Sequence, residues 1–400
     1  MSTTEHSLDA LFATRAKTIA DPQSWGDEPE GTISLAYGFA DPVHFPVKQL
    51  VDATAEVLAE DVNGALNYGP TYAGLIKLVV DRLNGRGISW AKPSNTMISY
   101  GSSQILALLP QIMVDPGDIV IVEGPCFIGA VRSFQEAGAK IETIPVKADG
   151  MDIDALEAKL KELQAKNIKP KFIYTTPTYQ NPTGTLMPLA NRKRLVALAD
   201  TYGVLILEDD AYGDLRFEGE FIPQLAALDT KGWVIHVATF SKIMAPGVRM
   251  AYCTGPEAVI KRLNKFKIEG SSGPFMTRLV ERFAADGKLD AHISELNKTY
   301  RRKRDVMLAA MKEYFPADVR YDIPQGGFFI YCYLPADLPT AAVIAKGREQ
   351  KVSFLPGAGC YANGQGHHEI RLAFSYQSDE NIREGIKRLG AAMKAARTSA

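Results

Sequence analysis

The chain has 400 residues, which is long enough for two domains or for one large domain with an appendage. With 46% hydrophobic and 23% charged residues, its composition is typical of an ordinary globular protein. Lys and Arg number 45 and Asp and Glu 46, so the net charge of −1 gives no electrostatic argument for binding nucleic acid or an anionic membrane.

The cysteines lie far apart and form no C-x-x-C pair; they are Cys126, Cys253, Cys332 and Cys360. This spacing argues against a zinc site and a disulfide framework, and it favours free thiols in a reducing compartment. The N-terminus carries no apolar run of a secretory signal, and no stretch reaches the roughly 18 apolar residues of a membrane span. We therefore predict a cytoplasmic protein without a bound metal.

The middle of the chain alternates between short apolar runs and helical patterns. The runs begin at Ile119, Phe172, Val204 and Val234 and are apolar on both faces, as in strands buried within a parallel sheet. Helices are predicted over 156–164 and over 189–202, the second beginning after Pro188 and ending at Gly203. This alternation predicts an α/β fold with a mainly parallel sheet, in which ligands bind at the carboxyl ends of the strands.

The pattern changes after Asp286. A long basic helix is predicted over 289–314, strands over 328–331 and 369–374, and a closing helix over 381–396. These elements indicate a smaller α+β domain. The predicted division is a large domain over residues 52–286 and a small domain that combines residues 1–51 with residues 287–400.

Four polar segments fall at strand ends or helix starts of the larger domain. They are Gly101-Ser102-Ser103-Gln104, Tyr179-Gln180-Asn181-Pro182-Thr183-Gly184, Glu208-Asp209-Asp210-Ala211-Tyr212 and Thr239-Phe240-Ser241-Lys242, the last followed by Arg249. Each alone has an ordinary explanation as a turn, a helix cap or a surface lysine. Together they supply a helix N-terminus and an arginine for a phosphate, a lysine that burial can make nucleophilic, and a carboxylate for a pyridine nitrogen.

These segments resemble the fold type I pyridoxal-phosphate (PLP) enzymes, in particular the class I/II aminotransferases and, among them, the α-aminoadipate and kynurenine aminotransferase group. The resemblance runs over nearly the whole chain, from residues 33–42 and 67–74 to residues 324–328 and 370–375. It implies an aspartate aminotransferase-like fold, with a mainly parallel seven-stranded sheet sandwiched by helices in the large domain. It also implies a homodimer with active sites at the subunit interface.

The resemblance assigns a role to each polar segment. Lys242 resembles the Schiff-base lysine, which also moves the α-proton of the substrate. Asp209 resembles the carboxylate on the pyridine nitrogen and is preferred to Asp210 because the family pattern is Asp-x-x-Tyr. Tyr212 and Asn181 resemble the pair on the phenolate oxygen. The expected phosphate cup consists of Ser102, Ser103, Thr239, Ser241 and Arg249.

Further positions complete the expected site. Phe127 lies where an aromatic ring stacks on the cofactor, and Tyr68 where a tyrosine reaches the phosphate of the neighbouring subunit. Arg371 resembles the arginine that binds the substrate α-carboxylate, and Asn181 is expected to contribute to substrate binding as well. Ordinary packing remains an alternative for these three residues: a core position for Phe127, packing within its own subunit for Tyr68, and a surface strand for Arg371.

The chain departs from the family pattern at two places. Phe127 stands where the family often has Tyr, so any hydrogen bond from a tyrosine hydroxyl is absent, and Tyr37-Gly38 stands where the family often has Gly-Gly. We expect Tyr37 to narrow or reshape the substrate pocket, while Gly38 still permits close approach of the backbone to the substrate.

The predicted reaction transfers the amino group of an L-amino acid to a 2-oxo acid by a ping-pong mechanism. A C–S β-lyase, a decarboxylase or an oxidase on the same fold is the alternative, since all would use the same residues. A more remote alternative is an amino-acid-sensing regulator, but such regulators carry a preceding DNA-binding domain and the resemblance begins by Ile33. An NAD-binding protein is less favoured because no G-x-G-x-x-G follows an early strand.

Overall fold

The computed structural model describes residues 8–13, 28–268 and 272–398. Residues 1–7, 14–27 and 399–400 of the predicted small domain, and residues 269–271 of the predicted large domain, lie outside the described residues.

The elements of the described residues alternate along most of the chain. The strands are β1 (Ile33–Ser34), β2 (Thr96–Ser99), β3 (Ile119–Gly124), β4 (Lys140–Lys147), β5 (Gly150–Met151), β6 (Phe172–Thr175), β7 (Leu205–Asp209), β8 (Val234–Thr239), β9 (Ala251–Thr254), β10 (Arg320–Tyr321), β11 (Phe329–Tyr333), β12 (Val352–Ser353), β13 (Leu355–Pro356) and β14 (Glu369–Ala373). The α-helices are α1 (Val47–Glu60), α2 (Val62–Leu66), α3 (Ala73–Gly85), α4 (Ser102–Met113), α5 (Ile128–Glu136), α6 (Ile153–Ala165), α7 (Leu189–Tyr202), α8 (Leu225–Leu228), α9 (Glu257–Phe266), α10 (Pro274–Ala284), α11 (Lys288–Tyr314), α12 (Thr340–Glu349) and α13 (Asp379–Thr398).

The larger sheet has the strand order β2-β9-β8-β7-β6-β3-β4-β5. Strands β8, β7, β6, β3 and β4 run parallel to one another, while β9 is antiparallel to both of its neighbours and β5 is antiparallel to β4. The predicted mainly parallel sheet is therefore confirmed, and the two-residue strand β5 adds an eighth strand to the seven expected. All six residues of β8 are buried, as its apolar sequence on both parities predicts.

The helices follow the sequence signals closely. Helix α7 begins after Pro188 and ends before Gly203, which adopts a left-handed conformation with φ 62°. A glycine at this position accommodates a positive φ without a steric penalty from Cβ. The long basic helix and the closing helix are both present, as α11 and α13.

A second sheet of four strands, in the order β10-β11-β14-β13, is formed by the C-terminal part of the chain. The N-terminal segment joins this part, because β1 pairs in parallel with β12 and the backbone N–H of Ala373 donates to the carbonyl oxygen of Leu35 at 2.7 Å. All four cysteines are free and buried. Among the described residues, no helix combines the length and the apolar character that crossing a membrane requires.

The order of the larger sheet determines where its polar residues meet. Strands β3, β6, β7 and β8 are parallel and consecutive in space, so their carboxyl ends lie along one edge. Asp209 is the last residue of β7, and Lys242 lies three residues beyond β8. This edge therefore brings together residues that are far apart in the sequence.

Candidate active site

Lys242 ends a single turn of 3-10 helix, Phe240–Lys242, directly after β8. Its Nζ donates to the carbonyl oxygen of Gly38 at 2.9 Å and lies 5.9 Å from the ring centroid of Tyr212. Burial, followed by the positive charges of Arg371 and Arg249, lowers the pKa of Lys242 to about 8. This amine loses its proton more readily than a surface lysine, as a nucleophile or a proton carrier must.

Asp209 is buried, and its two oxygens differ. Oδ2 accepts a hydrogen bond of 2.8 Å from the hydroxyl of Tyr174, whereas Oδ1 is buried without a hydrogen-bond partner among the described residues. Burial raises the pKa of Asp209 to about 6, and the negative charge of Asp210 adds to this effect. The hydrogen bond from Tyr174 lowers the same pKa and so opposes the shift. The free oxygen fits the protonated nitrogen of a pyridine ring, because a buried carboxylate needs a partner for each of its oxygens.

Arg371 lies on β14 and is buried. Its Nη1 donates to Oδ1 of Asn181 at 2.8 Å and its Nη2 to the carbonyl oxygen of Ala36 at 2.6 Å, while the guanidinium carbon lies 4.1 Å from the ring centroid of Phe329. No carboxylate of the described residues forms an ion pair with Arg371, and its Nε is buried without a hydrogen-bond partner among them. A buried arginine without a carboxylate partner fits an anionic ligand such as a carboxylate.

Tyr212 lies between these groups. Its ring packs edge to face against Phe328 and Phe329, at centroid distances of 5.5 and 5.6 Å. Burial raises the pKa of Tyr212 above its usual value, and the charges of Arg371 and Asp209 act on it in opposite directions. Tyr212 therefore keeps its hydroxyl proton and can donate it to a hydrogen bond.

The N-terminus of α4 lies next to the guanidinium of Arg249. Gly101 precedes the helix with φ 75°, and a Cβ at this position would overlap the guanidinium of Arg249. Ser102 opens the helix partly exposed, and Ser103 is exposed. A helix of 12 residues with an arginine over its N-terminus fits a phosphate group.

Thr239 and Ser241 lie beside this helix start. Thr239 pairs with Ala251 of β9, and Ala251 pairs with Ser99 of β2, two residues before Gly101. The hydroxyl of Thr239 donates to Oγ of Ser241 at 3.0 Å and accepts from the backbone N–H of Ser241 at 3.1 Å. The five expected phosphate residues thus occupy neighbouring positions at the edge formed by β2, β9 and β8.

Three positions predicted from the resemblance, Phe127, Tyr68 and Tyr37, are not buried. The exposed fraction of Phe127 is 36%, which argues against a plain core position. Tyr68 is fully exposed, which argues against packing within its own subunit. The ring of Tyr37 stacks on Phe39 with a centroid distance of 5.3 Å, and the Gly38 between them faces the ring of Phe329, which a Cβ would overlap.

Several residues that line this edge were not predicted from the sequence. Tyr174 contacts Asp209, and the buried Glu123 at the end of β3 accepts from the hydroxyl of Thr175 at 2.5 Å and from Nε2 of Gln180 at 3.2 Å. Burial raises the pKa of Glu123 to about 7. An acidic residue directly after an apolar run, as Glu123 is after residues 119–122, is the signal that would have identified it.

Comparisons with known proteins identify the family of the chain. The model of the family "Aminotransferase class I and II" matches residues 33–389. The chain is 36% identical to aromatic-amino-acid aminotransferase 1 of Thermococcus litoralis over 92% of this chain and 89% of the relative. It is 33% identical to 2-aminoadipate transaminase of Thermus thermophilus, over 95% and 94% of the two chains.

A solved structure shares the fold over almost the full length. The kynurenine aminotransferase of Pyrococcus horikoshii, in complex with PMP, superimposes with a TM-score of 0.91 at 33% identity, covering 97% of this chain and 98% of that chain. The aspartate aminotransferase-like fold expected from the resemblance is thereby confirmed. The chain therefore belongs to the class I and II aminotransferase family and is an enzyme that transfers amino groups with pyridoxal phosphate as its cofactor.

Proposed function

We propose that Lys242 holds the cofactor as a Schiff base and moves the α-proton of an L-amino acid whose amino group passes to a 2-oxo acid. The observation that carries this proposal is the position of Lys242, whose Nζ bonds to Gly38 and whose pKa is lowered to about 8 by burial and by Arg371 and Arg249. When bound, pyridoxal phosphate supplies an electron sink for the negative charge that proton removal leaves on the α-carbon.

The remaining residues would bind and orient the reacting groups. Oδ1 of Asp209 is the acceptor available to the protonated ring nitrogen, and Tyr212 and Asn181 have hydrogen-bonding groups for the phenolate oxygen. The start of α4, with Ser102, Ser103 and Arg249, would hold the phosphate together with the hydroxyls of Thr239 and Ser241. Phe127 would cover one face of the ring.

The substrate would lie between Arg371 and Lys242. The backbone of residues 36–38 joins these two side chains, because the carbonyl oxygen of Ala36 accepts from Arg371 and that of Gly38 from Lys242. Tyr37 lies between these two anchor points, so we propose that its side chain shapes the substrate pocket. The stacked rings of Tyr37 and Phe39 support the acceptance of aromatic amino acids.

Half-reaction chemistry separates this function from the alternative reactions on the same fold. The holoenzyme is incubated with a panel of aromatic, dicarboxylic and aliphatic amino acids without any oxo acid, and the absorbance of the cofactor is followed. We expect stoichiometric conversion to pyridoxamine phosphate, reversed by 2-oxoglutarate or pyruvate, and fastest conversion with an aromatic donor. Continuous release of ammonia or of carbon dioxide with the cofactor returning to the aldehyde form would instead show a lyase or a decarboxylase.

We further propose that the enzyme works as a homodimer. Exposed apolar side chains cluster in the sequence around Tyr68, namely Val47, Val51, Val62 and Leu66. Such side chains favour burial against a second copy of the chain, where Tyr68 would reach the partner's phosphate site.

The division into a large domain over 52–286 and a small domain over 1–51 and 287–400 stays a proposal. The pairing of β1 with β12 supports the placement of the N-terminal segment with the C-terminal part. Helix α1 runs across the first proposed boundary. The cytoplasmic location stays a prediction of the sequence.

A further inference from the structure

We propose that Tyr174 is a positioning residue for the cofactor carboxylate: its hydroxyl holds Oδ2 of Asp209, which leaves Oδ1 as the oxygen available to the pyridine nitrogen. This inference rests on the proposed role of Asp209. Tyr174 lies on β6, the neighbour of β7, and its hydroxyl donates to Oδ2 at 2.8 Å while Oδ1 has no partner among the described residues.

Packing fixes the ring that carries this hydroxyl. Tyr174 is fully buried, and its ring meets that of Phe134 edge to face at a centroid distance of 5.4 Å. The side chain is therefore held by apolar contacts in the core beneath the site. A rigid donor restricts the rotation of the carboxylate about its own Cβ–Cγ bond.

The direction of the hydrogen bonds also favours this role. An ionised carboxylate only accepts, so Tyr174 is the donor in its contact with Asp209. Burial and the charge of Asp209 raise the pKa of the Tyr174 hydroxyl, and the neighbouring side chain of Thr176 acts in the opposite direction. The hydroxyl therefore keeps the proton that it donates to Asp209.

The surroundings of Asp209 act on its ionisation in both directions. Burial and the charge of Asp210 favour the protonated carboxyl group, and Glu123 lies near enough to interact with Asp209. The hydrogen bond from Tyr174 acts against both effects, because it stabilises the ionised form, and the backbone of Ala211 and the charge of His236 contribute smaller effects in the same direction. An ionised Asp209 is the form that pairs with a protonated ring nitrogen.

The experiment measures the affinity of the apo-enzyme for pyridoxal phosphate, by absorbance, at pH 8 and at pH 6. Tyr174→Phe retains the ring and removes only the hydroxyl. We expect its dissociation constant to rise about tenfold or more at pH 8, as for the loss of a hydrogen bond to a charged group. The loss is expected to be larger at pH 6, because the carboxyl group without its donor protonates at a higher pH and must release that proton before it binds the protonated ring.

Tyr331→Phe is the matched control. The hydroxyl of Tyr331 is bonded to Oε2 of Glu369 at 2.7 Å in the smaller sheet, so the variant removes the same kind of buried contact without touching Asp209. It should leave the affinity for the cofactor and its pH dependence unchanged. Thermal unfolding of both apo-variants tests whether each is folded.

Asp209→Asn separates a failure of this inference from a failure of the proposed function. If Asp209→Asn binds the cofactor as tightly as the unmodified enzyme, the proposed role of Asp209 is wrong. If Asp209→Asn weakens binding but Tyr174→Phe does not, or if Tyr331→Phe weakens it equally, the positioning role of Tyr174 is overturned. In the Asp209→Asn background, Tyr174→Phe should cause little further loss.

Discussion

Arg371 and Asn181 are joined by a hydrogen bond of 2.8 Å between Nη1 and Oδ1. The bond connects β14 of the smaller sheet to the loop that follows β6 of the larger sheet. The residue that we assign to the substrate carboxylate is thus held directly by a residue that we assign to the cofactor. A change at either residue is expected to affect the other.

Arg371→Lys should weaken substrate binding while retaining the positive charge. A lysine ammonium cannot donate simultaneously to Asn181, to Ala36 and, in the forked geometry, to a carboxylate. We expect kcat/KM for amino donors to fall about 100-fold or more, mainly through KM. Steady-state kinetics measures this, and a KM equal to that of the unmodified enzyme would remove Arg371 from the substrate site.

Gly38→Ala should disturb the contact between the backbone and Lys242. The added Cβ would overlap the ring of Phe329, so the segment must move and take the carbonyl oxygen of Gly38 with it. We expect a destabilisation of about 1–3 kcal/mol and at least a tenfold loss of activity.

Gly85→Ala is the control for this change, because a Cβ at Gly85 meets no atom within 4 Å. Its unfolding free energy should change by less than about 1 kcal/mol. Urea unfolding and turnover rates compare the two variants. Equal behaviour of both would show that the space at Gly38 has no importance for the site.

Mixed dimers test whether Tyr68 serves the partner's site. Tyr68→Phe alone should weaken cofactor binding about tenfold, through loss of a hydrogen bond to the phosphate. A heterodimer is then made from one Tyr68→Phe subunit and one Lys242→Ala subunit. If Tyr68 serves the partner's site, one active site of this heterodimer combines both changes and the other has neither. We expect that hybrid to regain cofactor affinity of the unmodified enzyme at one site per dimer. If the heterodimer instead binds the cofactor only with the weakened affinity of the Tyr68→Phe enzyme, Tyr68 acts within its own subunit.

The charge of Arg371 should be visible in the pH dependence of cofactor uptake. The neutral amine of Lys242 is the reactive form, so uptake by the apo-enzyme should accelerate with rising pH and level off above its pKa of about 8. Arg371→Gln removes a positive charge that lowers this pKa, so its midpoint should move to higher pH. Arg371→Lys retains the charge and should leave the midpoint nearly unchanged. Rates measured by stopped-flow absorbance that still rise steeply through pH 10 contradict the lowered pKa.

The sequence predicts the parallel core of the fold well because its signals are local. The runs at Phe172, Val204 and Val234 are short and apolar on both faces, and they form β6, β7 and β8. Helix α7 is equally well defined by Pro188 and Gly203. Strands β4 and β9 lacked such a clear pattern. Seven of the eight residues of β4 are half-exposed or exposed, and β9 is a four-residue strand whose antiparallel direction depends on its partners.

The residues of the candidate site also differ in how readily the sequence identifies them. Lys242, Asp209 and Arg371 carry motifs that a resemblance can identify. Tyr174 and Glu123 lie within or at the end of apolar strands, and their importance comes from contacts across the sheet. No local pattern shows which strand will be the neighbour, so these residues become visible only in the folded chain.

The most direct test of the central claim is the absorbance spectrum of purified Lys242→Ala with pyridoxal phosphate. The unmodified holoenzyme should be yellow, and the variant should lose the band of the lysine-bound cofactor and its aminotransferase turnover. Correct folding is checked by thermal unfolding of the apo-protein. An unchanged spectrum and unchanged turnover in Lys242→Ala would contradict the assignment of Lys242 as the residue that holds the cofactor.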